Sequence, residues 1–420
     1  MNILYLAHRI PYPPNKGDKL RAFRQLQHLA SRHRVWCACF VDDAADGTHV
    51  ELLSRMCEDV AAVRLNRKWA ALRGLIGLVR GGTVTESYYT HPAMREVLRR
   101  WCAGQRFDAV VAFSSSMAPY ALAVSARRRV LDLCDRDSRK WLQYAALAGG
   151  PRRCLYRVEG RRLARREREG LDAFDAAILI TSAEAKGLAR YQRRGKLHII
   201  GNGVDVPHFD VPDGGPRTHP TIGFVGVMDY APNVDAVRWF VAACWPGIRA
   251  AVPQAVFRIV GRSPARAVRR LASVQGIEVT GEVEDATAEV RRFDVSVAPL
   301  RIARGLQNKV LEAMACARPV VLSSGAAEGI DGRHGHEYLV ADTADETVGH
   351  VVRLLGDPVE RERLGLTARQ FVAANHCWRE ELDRFEFIVT GALERSVPRD
   401  TVTPATAALA LNARPVVAGT

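Results

Sequence analysis

The stretch APLRIARGLQNKVLEAMA, residues 298–315, decides the fold and the site that we expect in this chain. Its apolar start predicts a buried strand that ends at a proline, and Gly305 predicts a turn. From near Leu306 the spacing of apolar residues predicts a helix. A helix that opens at the edge of a sheet is an anion site, because its free N–H groups and its dipole both favour negative charge.

Two charged residues follow this turn. Lys309 lies in the first turn of the predicted helix, where its ammonium group can reach a diphosphate. Glu312 lies three residues later on the same face, where it can accept hydrogen bonds from the hydroxyls of a ribose. The alternative is a surface Lys–Glu pair worth about 0.2–0.5 kcal/mol, which gives no electrostatic reason for a lysine at this position. We therefore predict a diphosphate site.

Short apolar runs alternate with helical patterns in both halves of the chain. The runs lack internal alternation, which is typical of parallel strands covered on both faces. We therefore expect an α/β fold of two doubly wound, Rossmann-like parallel-sheet domains that face each other across a cleft, with ligands at the carboxyl edges of the strands. The expected strands are 3–7, 35–40, 60–65, 109–113, 130–133, 176–181, 221–225, 256–260, 277–280, 295–298 and 320–322, and the expected helices include 19–31, 92–102, 138–148, 234–251, 265–273, 306–315 and 345–355.

The joint between the two halves is expected at 201–205, because a Pro/Gly-rich stretch follows it. This places an N-terminal domain at 1–205 and a C-terminal domain at 206–377. The last segment, 396–420, is rich in Ala, Thr, Pro and Val without periodicity, and we expect it to be disordered.

The composition is that of a globular protein, with 48% hydrophobic and 25% charged residues. The net charge of +14 is mostly arginine, which suits phosphate ligands but also follows from GC-rich coding. Nine cysteines without a CxxC pair argue against a zinc site and a disulfide framework and favour a reducing compartment.

Several classes of protein are excluded by missing motifs. No GxGxxG follows the first strand, which argues against an NAD-dependent dehydrogenase, and no GxxxxGK[ST] occurs, which argues against a P-loop ATPase. The apolar start, 1–7, lacks a basic flank and a cleavage site and is expected to be a buried strand. No run reaches the roughly 20 apolar residues that a transmembrane helix requires.

The stretch 298–315 resembles the donor-site segment of family 4 glycosyltransferases, which have the GT-B fold, and most resembles the sugar transferases associated with exosortase/PEP-CTERM exopolysaccharide loci. The resemblance covers nearly the whole chain. It also rests on RIPYPPNKGDK at 9–19, NGVD at 202–205, FVG at 224–226, DYAPN at 229–233 and VGR at 260–262.

This resemblance implies a retaining glycosyltransferase, a hexosyltransferase, that moves a sugar from a nucleoside-diphosphate sugar to an acceptor that we expect to be lipid-linked, in exopolysaccharide or envelope-glycan biosynthesis. It implies that the last helix, 378–393, crosses back to the N-terminal, acceptor-side domain, and that the C-terminal domain binds the donor. We expect a cytoplasmic protein, peripheral on the inner face of the plasma membrane. No cofactor is expected, and the donor half shows no carboxylate cluster for a metal.

The resemblance also assigns residues. Lys309, Glu312 and Asp135 are the catalytic candidates. Where the wider family has a first glutamate, this chain has Arg304, and where members often have an arginine after the first glycine, it has Val227. The candidates for donor binding are Gly17, Gly226, Arg262, Gly281, Arg304, Gly305, Leu306, Asn308, Lys309 and Glu312.

The acceptor side is expected at the end of the strand before DRDS, residues 135–138. Asp135 is the candidate for a group that faces the acceptor, with Asp137 and His8 beside it. Alternatively, Asp137 or Ser138 caps the next helix, and a lone histidine such as His8 is structural.

The segment 151–170 predicts an arginine-rich helix whose basic face could dock on anionic lipid. The alternative is a solvated helix in which Glu159, Glu167 and Glu169 pair with the arginines. Nucleic-acid binding is not expected, because no recognition motif accompanies the charge. Two other functions stay open: a sugar-nucleotide epimerase of the same fold, and a non-catalytic scaffold of a polysaccharide assembly complex.

Overall fold

The computed structural model describes residues 1–43, 45–189, 196–209, 219–303 and 305–391. Within these ranges the strands form two parallel sheets. The first sheet contains β1 (Asn2–Ala7), β2 (Arg34–Val41), β3 (Asp59–Arg64), β4 (Phe107–Phe113), β5 (Ala126–Cys134), β6 (Ala176–Leu179) and β7 (Leu197–Ile199). The second contains β8 (Thr221–Val225), β9 (Val256–Val260), β10 (Ile277–Gly281), β11 (Val295–Ala298), β12 (Val320–Leu322) and β13 (Leu339–Val340).

Helices connect successive strands and cover both faces of each sheet. Those of the first half are α1 (Gly17–Ala30), α2 (Val50–Ser54), α3 (Arg67–Val79), α4 (Val84–Tyr89), α5 (Pro92–Gly104), α6 (Ala118–Leu122), α7 (Asp137–Leu147), α8 (Gly150–Ala173) and α9 (Ser182–Ala189). Those of the second half are α10 (Ala231–Trp239), α11 (Trp245–Ala251), α12 (Arg266–Arg269), α13 (Ala286–Arg291), α14 (Asn308–Ala315), α15 (Ser324–Ala327), α16 (Ala344–Gly356), α17 (Pro358–Asn375) and α18 (Trp378–Thr390).

The strand order is β3-β2-β1-β4-β5-β6-β7 in the first sheet and β10-β9-β8-β11-β12-β13 in the second. In each sheet the chain adds strands first on one side and then on the other side of the strand that comes first in sequence, β1 or β8. Ligands bind at such switch points in open parallel sheets. The predicted doubly wound α/β architecture is therefore confirmed. No helix in the described part of the chain is long and apolar enough to cross a bilayer.

The apolar runs do not alternate because both faces of each sheet are buried. In β1, Leu4 and Leu6 join the apolar core on one face of the first sheet, while Ile3 and Tyr5 join the core on the other face. In the second domain, the buried apolar side chains of the sheet and its helices form a single core. The predicted strands lie within the observed ones or overlap them closely.

Some boundaries differ from those that the sequence predicts. The short edge strands β7 and β13 were missed, because two or three residues are too few to show an apolar pattern. The helix expected from Leu306 begins at Asn308, since Gln307 has extended backbone (φ −88°, ψ 94°). The helix expected at 234–251 is interrupted by a π-helical turn, Phe240–Cys244. The expected disordered tail, 396–420, lies outside the described residues.

The last described helix, α18, packs on the N-terminal sheet although it follows the second sheet in sequence. Phe385, Ile388 and Val389 are buried in the core on one face of the first sheet. At the start of α18, the Glu381 carboxylate accepts a hydrogen bond from the Gly201 N–H at 2.8 Å. The chain thus crosses between the domains twice, at the joint near Gly201 and again before α18.

A buried ion pair lies beneath the joint. The guanidinium of Arg21, in α1, donates to Asp132 Oδ2 from Nε at 3.0 Å, and both side chains are fully buried. Gln25 Nε2 donates to the same carboxylate oxygen at 2.7 Å. Of the other two Arg21 nitrogens, Nη2 lies 2.9 Å from Asp132 Oδ2, and Nη1 donates to Gly201 O at 3.0 Å and to Asn202 Oδ1 at 3.2 Å. The pair therefore holds the joint against the N-terminal domain.

Replacing Arg21 with methionine should lower the free energy of unfolding by about 3–5 kcal/mol, because it leaves the Asp132 carboxylate buried without a counter-charge. Urea-induced unfolding followed by circular dichroism measures this loss. Gln27→Met, on the exposed side of the same helix, is the matched control and should change the free energy of unfolding by less than about 0.5 kcal/mol. A loss for Arg21→Met no larger than that of the control would contradict the prediction.

Candidate active site

The start of α14 lies where the two domains meet. No side chain of the described residues caps the N-terminus of the helix. The N–H groups of its first two residues can therefore serve an anion, while the third donates to the Gln307 carbonyl at 2.9 Å. Its first residue, Asn308, accepts a hydrogen bond from Asn202 Nδ2 at 2.9 Å. Gly17, at the start of α1, lies against the same side chain, since a Cβ on Gly17 would be 3.6 Å from Asn308 Nδ2. Both partners of Asn308 come from the N-terminal domain or its joint.

Lys309 is anchored to the switch point of the second sheet. Its Nζ donates to Asn233 Oδ1 at 2.5 Å and lies 4.6 Å from the ring centroid of Phe224 in β8. Asn233 is held in turn, because its Nδ2 donates to Val227 O at 3.0 Å. A Cβ on Gly226 would be 2.6 Å from Asn233 Nδ2 and 3.3 Å from Lys309 Nζ, so a glycine is required for this approach.

Burial shifts the pKa values of Lys309 and of Glu312, which lies one turn later in α14. Removal from water lowers the pKa of Lys309 to about 7, although the charge of Glu312 acts in the opposite direction. Burial raises the pKa of Glu312, and the nearby Lys309 opposes that rise. A cationic lysine here lacks much of its hydration, and a bound anion would restore its favoured charge.

Asp135 faces the loop before α14 from the opposite domain. Gly305 has φ +58°, and a Cβ there would collide with the Asp135 carboxylate, so only glycine allows this contact. Asp135 Oδ1 is buried and has no hydrogen-bond partner among the residues that the structure describes. Burial, followed by the negative charges of Glu184 and Asp137, raises the pKa of Asp135 to about 7. The carboxyl group can therefore carry a proton near neutral pH.

A cavity of about 110 Å³ lies beside Asp135, between α7 and the start of α10. Asp137 lines it and accepts a hydrogen bond from Ser115 Oγ at 3.2 Å. The alternative that Asp137 or Ser138 caps α7 is wrong, since the Glu167 carboxylate accepts from both the N–H and the hydroxyl of Ser138. The lining side chains are Asp135, Arg136, Asp137, Lys140, Gln143, Tyr144, Tyr230, Pro232 and Ile302.

The other candidates for donor binding are Arg262, Gly281, Leu306 and Arg304. Arg262, after β9, donates from Nη2 to Asn15 O at 3.4 Å, and so reaches the loop that precedes α1. Gly281 ends β10 with φ +73° and accepts from the Gly261 N–H at 3.0 Å. Leu306 packs into the core of the second domain with 9% exposure. Arg304 lies outside the described residues.

His8 follows β1 and is largely enclosed. Its ring stacks on Phe113 at 5.9 Å between centroids, and its Nε2 lies 3.5 Å from Asp18 Oδ2. Its Nδ1 is buried and has no hydrogen-bond partner within the described part of the chain. Burial acts to raise the pKa of Asp18, but hydrogen bonding and charge from His8, with Arg9, lower it below its ordinary value.

Sequence reasoning missed several polar residues at this site. Asn233 and Tyr230 lie inside the quoted stretch 229–233, so the signal was present, but no residue type there pointed to a lysine anchor or a cavity wall. Lys140 and Tyr144 gave no signal, because they reach the cavity only through the packing of α7 across the cleft.

The charge state of Asp135 should be visible in the stability of the protein. Unfolded aspartate has a pKa near 3.9, so the folded protein binds more protons between about pH 4 and pH 7, and stability falls as the pH rises through that range. Asp135→Asn should therefore be more stable than the parent protein, with a gain about 1–3 kcal/mol larger at pH 8 than at pH 5.

Urea-induced unfolding at the two pH values measures this gain. Asp229→Asn removes an exposed carboxylate and should show no such difference. If the two variants behaved alike, Asp135 would be ionised in the folded protein at pH 5, and the assignment would be wrong.

Comparison with known proteins agrees with this geometry. Residues 219–357 match the protein family described as "Glycosyl transferases group 1". A phosphatidyl-myo-inositol mannosyltransferase of Propionibacterium freudenreichii is 29% identical over 215 residues, which cover 49% of this chain and 53% of that protein. The chain thus matches about half the length of this curated relative. Both findings support the predicted glycosyltransferase class.

Solved structures match over more of the chain. Sucrose-phosphate synthase of Thermosynechococcus elongatus superposes with a TM-score of 0.70 at 17% identity, covering 94% of this chain and 100% of that one. Anabaena HepE in complex with UDP and glucose superposes with a TM-score of 0.66 at 15% identity, covering 93% and 100%. With its two parallel-sheet α/β domains and these likenesses, the chain has the predicted GT-B glycosyltransferase fold, and the matched family segment carries the start of α14.

Proposed function

We propose that this protein is a retaining glycosyltransferase that moves a sugar from a nucleoside-diphosphate sugar to a lipid-linked acceptor. The observation that supports this most is the anchored, partly desolvated Lys309 at the open N-terminus of α14. The name of the mannosyltransferase relative and the UDP complex of HepE support the two substrates. The resemblance to exosortase-associated transferases makes exopolysaccharide or envelope-glycan assembly the process that we propose, on the cytoplasmic side of the membrane.

The donor diphosphate would bind at the first turn of α14. Its negative charge would meet the N–H groups at the start of that turn and the Lys309 ammonium, and Arg262 would add positive charge from the end of β9. Glu312 would accept hydrogen bonds from the ribose. Cations and N–H dipoles fixed in a cleft stabilise the charge that builds on a departing diphosphate by several kcal/mol. We therefore propose a site that needs no metal ion.

The acceptor would enter the cavity beside Asp135. Its hydroxyl oxygen would bond to the anomeric carbon while the bond from that carbon to the diphosphate oxygen breaks, and the electron pair of that bond would leave with the diphosphate. The hydroxyl proton would pass to the departing phosphate oxygen. Asp135, unpaired at Oδ1 and near its pKa at neutral pH, would orient the acceptor hydroxyl by hydrogen bonding.

The arginine-rich stretch 151–170 lies in α8, and we propose that it contacts anionic lipid. Two of the glutamates that could neutralise it are buried and serve other helices. Glu159 accepts from the N–H groups of Val84 and Thr85 at the start of α4, and Glu167 accepts from Ser138. Among the described residues of α8, the exposed arginines are Arg152, Arg153, Arg157, Arg161, Arg165 and Arg166, of which the last two pair with Glu169.

The first test is release of nucleoside diphosphate from a panel of sugar nucleotides by the purified protein. Transfer or slow hydrolysis supports the proposal, whereas interconversion of sugars without release indicates an epimerase, and a protein that neither binds nor turns over nucleotides indicates a scaffold. The rate should survive EDTA. Lys309→Ala and Glu312→Ala should each weaken donor binding by about tenfold or more, while Lys186→Ala, at an exposed position of α9, should leave it unchanged.

The charge state of Lys309 gives a second test. Because its pKa is about 7 without ligand and only the ammonium form pairs with a diphosphate, binding above that pH requires proton uptake. The dissociation constant for UDP-glucose should therefore rise between pH 7 and pH 9, by up to about tenfold per pH unit. Isothermal titration calorimetry measures this slope. Lys309→Ala should bind weakly with a flatter profile, and parallel profiles for the two proteins would contradict the assignment.

A further inference from the structure

Helix α3 carries an apolar surface on its outer side. Among the described residues, five of the thirteen exposed large apolar side chains lie on this one helix of 13 residues. Their spacing places them on one face of the helix. They are Trp69, Leu72, Leu75, Ile76 and Val79, with exposures of 63%, 45%, 52%, 43% and 87%.

The inner side of α3 is built from small residues. Ala70 and Gly74 are its buried residues. A Cβ on Gly74 would lie 2.9 Å from Val84 Cγ1, and a Cβ on Gly77 would collide with Ser87, so α3 packs closely on α4. The usual arrangement of a surface helix is thus reversed, since the small side chains face the protein and the large apolar ones face outward.

The helix is held firmly in this orientation. Asn66 caps its N-terminus by accepting from the N–H groups of Lys68 and Trp69. At the other end, Arg162 Nη1 donates to Leu78 O at 2.5 Å and to Gly82 O at 2.7 Å, which joins α3 to the arginine-rich helix α8. The apolar surface therefore belongs to the folded N-terminal domain and adjoins its most basic helix.

The residues around this apolar surface are basic, which favours an anionic binding partner. The segment 65–85 contains no aspartate or glutamate and four basic residues. Lys68 and Arg80 are exposed at the two ends of α3 and lie beside the apolar face by helical spacing. A second copy of the chain would bring like charges together there. An anionic bilayer can bind both the apolar face and the basic ends of α3. The apolar side chains enter the boundary of the acyl chains, while the basic side chains reach the headgroups.

We propose that α3 is an in-plane membrane anchor, which lays Trp69, Leu72, Leu75, Ile76 and Val79 into the surface of an anionic bilayer. The basic ends of the helix and the neighbouring arginines of α8 contact the headgroups. This surface is separate from the nucleotide cleft. The helix proposed to insert into the bilayer is α3, whereas the proposed function assigns lipid contact to the arginines of α8.

Vesicle flotation without any nucleotide tests the anchor, so its failure would leave sugar transfer untouched. The vesicles contain phosphatidylglycerol and phosphatidylcholine in equal parts, or phosphatidylcholine alone. The parent protein should float with the anionic vesicles. Leu72→Gln combined with Ile76→Gln should weaken this binding by about tenfold or more, because apolar area no longer enters the bilayer.

Two further double variants separate the contributions. Lys68→Gln with Arg80→Gln should weaken binding to anionic vesicles by roughly fivefold per residue, with a smaller salt dependence. Val359→Gln with Leu366→Gln removes exposed apolar residues from α17, at 77% and 49% exposure, and should bind as the parent protein does. Thermal unfolding of each variant should match that of the parent, because all these side chains are exposed.

Three outcomes would overturn the proposal. The first is flotation of the Leu72/Ile76 variant that equals that of the parent. The second is no flotation of the parent with anionic vesicles. The third is a parent protein that is dimeric by light scattering and becomes monomeric in the Leu72/Ile76 variant, because the face would then be a contact between copies of this chain.

Discussion

The buried ion pair between Arg21 and Asp132 is the constraint on which the position of the site depends. Charges removed from water must be paired, and a guanidinium has more donors than one carboxylate can use. Arg21 Nη1 donates to Gly201 and Asn202, at the joint between the domains. Asn202 in turn donates to Asn308, the first residue of α14. The core of one domain thus determines where the helix N-terminus of the other lies.

The cleft between the domains contains ionisable groups whose charged forms are destabilised by burial. Burial shifts the pKa of both Lys309 and Asp135 to about 7, from opposite directions. Each group is therefore poorly solvated in its charged form in the free protein, which is typical of functional sites. In the proposed function, a diphosphate would supply a counter-charge for the lysine, and an acceptor hydroxyl would supply a hydrogen-bond partner for the carboxyl group. The same desolvation that costs stability makes these groups responsive to ligands.

The N-terminal domain combines its chemistry with two surface features that lie side by side. Helix α8 presents exposed arginines, and helix α3 presents large apolar side chains above a closely packed inner face of glycine and alanine. Arg162 joins the two helices through backbone carbonyls at the end of α3. An acceptor carried by a lipid would then be available on the same domain that carries Asp135 and its cavity.

Local patterns in the sequence were enough to predict the two parallel-sheet domains and the strand, turn and helix of 298–315. Apolar runs without alternation predict strands that are buried on both faces, and a lysine after a glycine turn predicts an anion site at a helix N-terminus. These properties depend on neighbours within a few residues, so they can be recognised without the fold. The assignment of a donor sugar and a lipid-linked acceptor went further, and rested on resemblance.

Only the tertiary structure decided which distant groups meet. Asp135 touches Gly305 because the two domains face each other across the cleft. Asn233 holds Lys309 because β8 and β11, after which they lie, are neighbours in the second sheet. The orientation of α3 was also beyond the sequence, since its periodicity does not say whether the leucines or the glycines face the protein. Close packing on α4 decides this, because only the side without large side chains fits there.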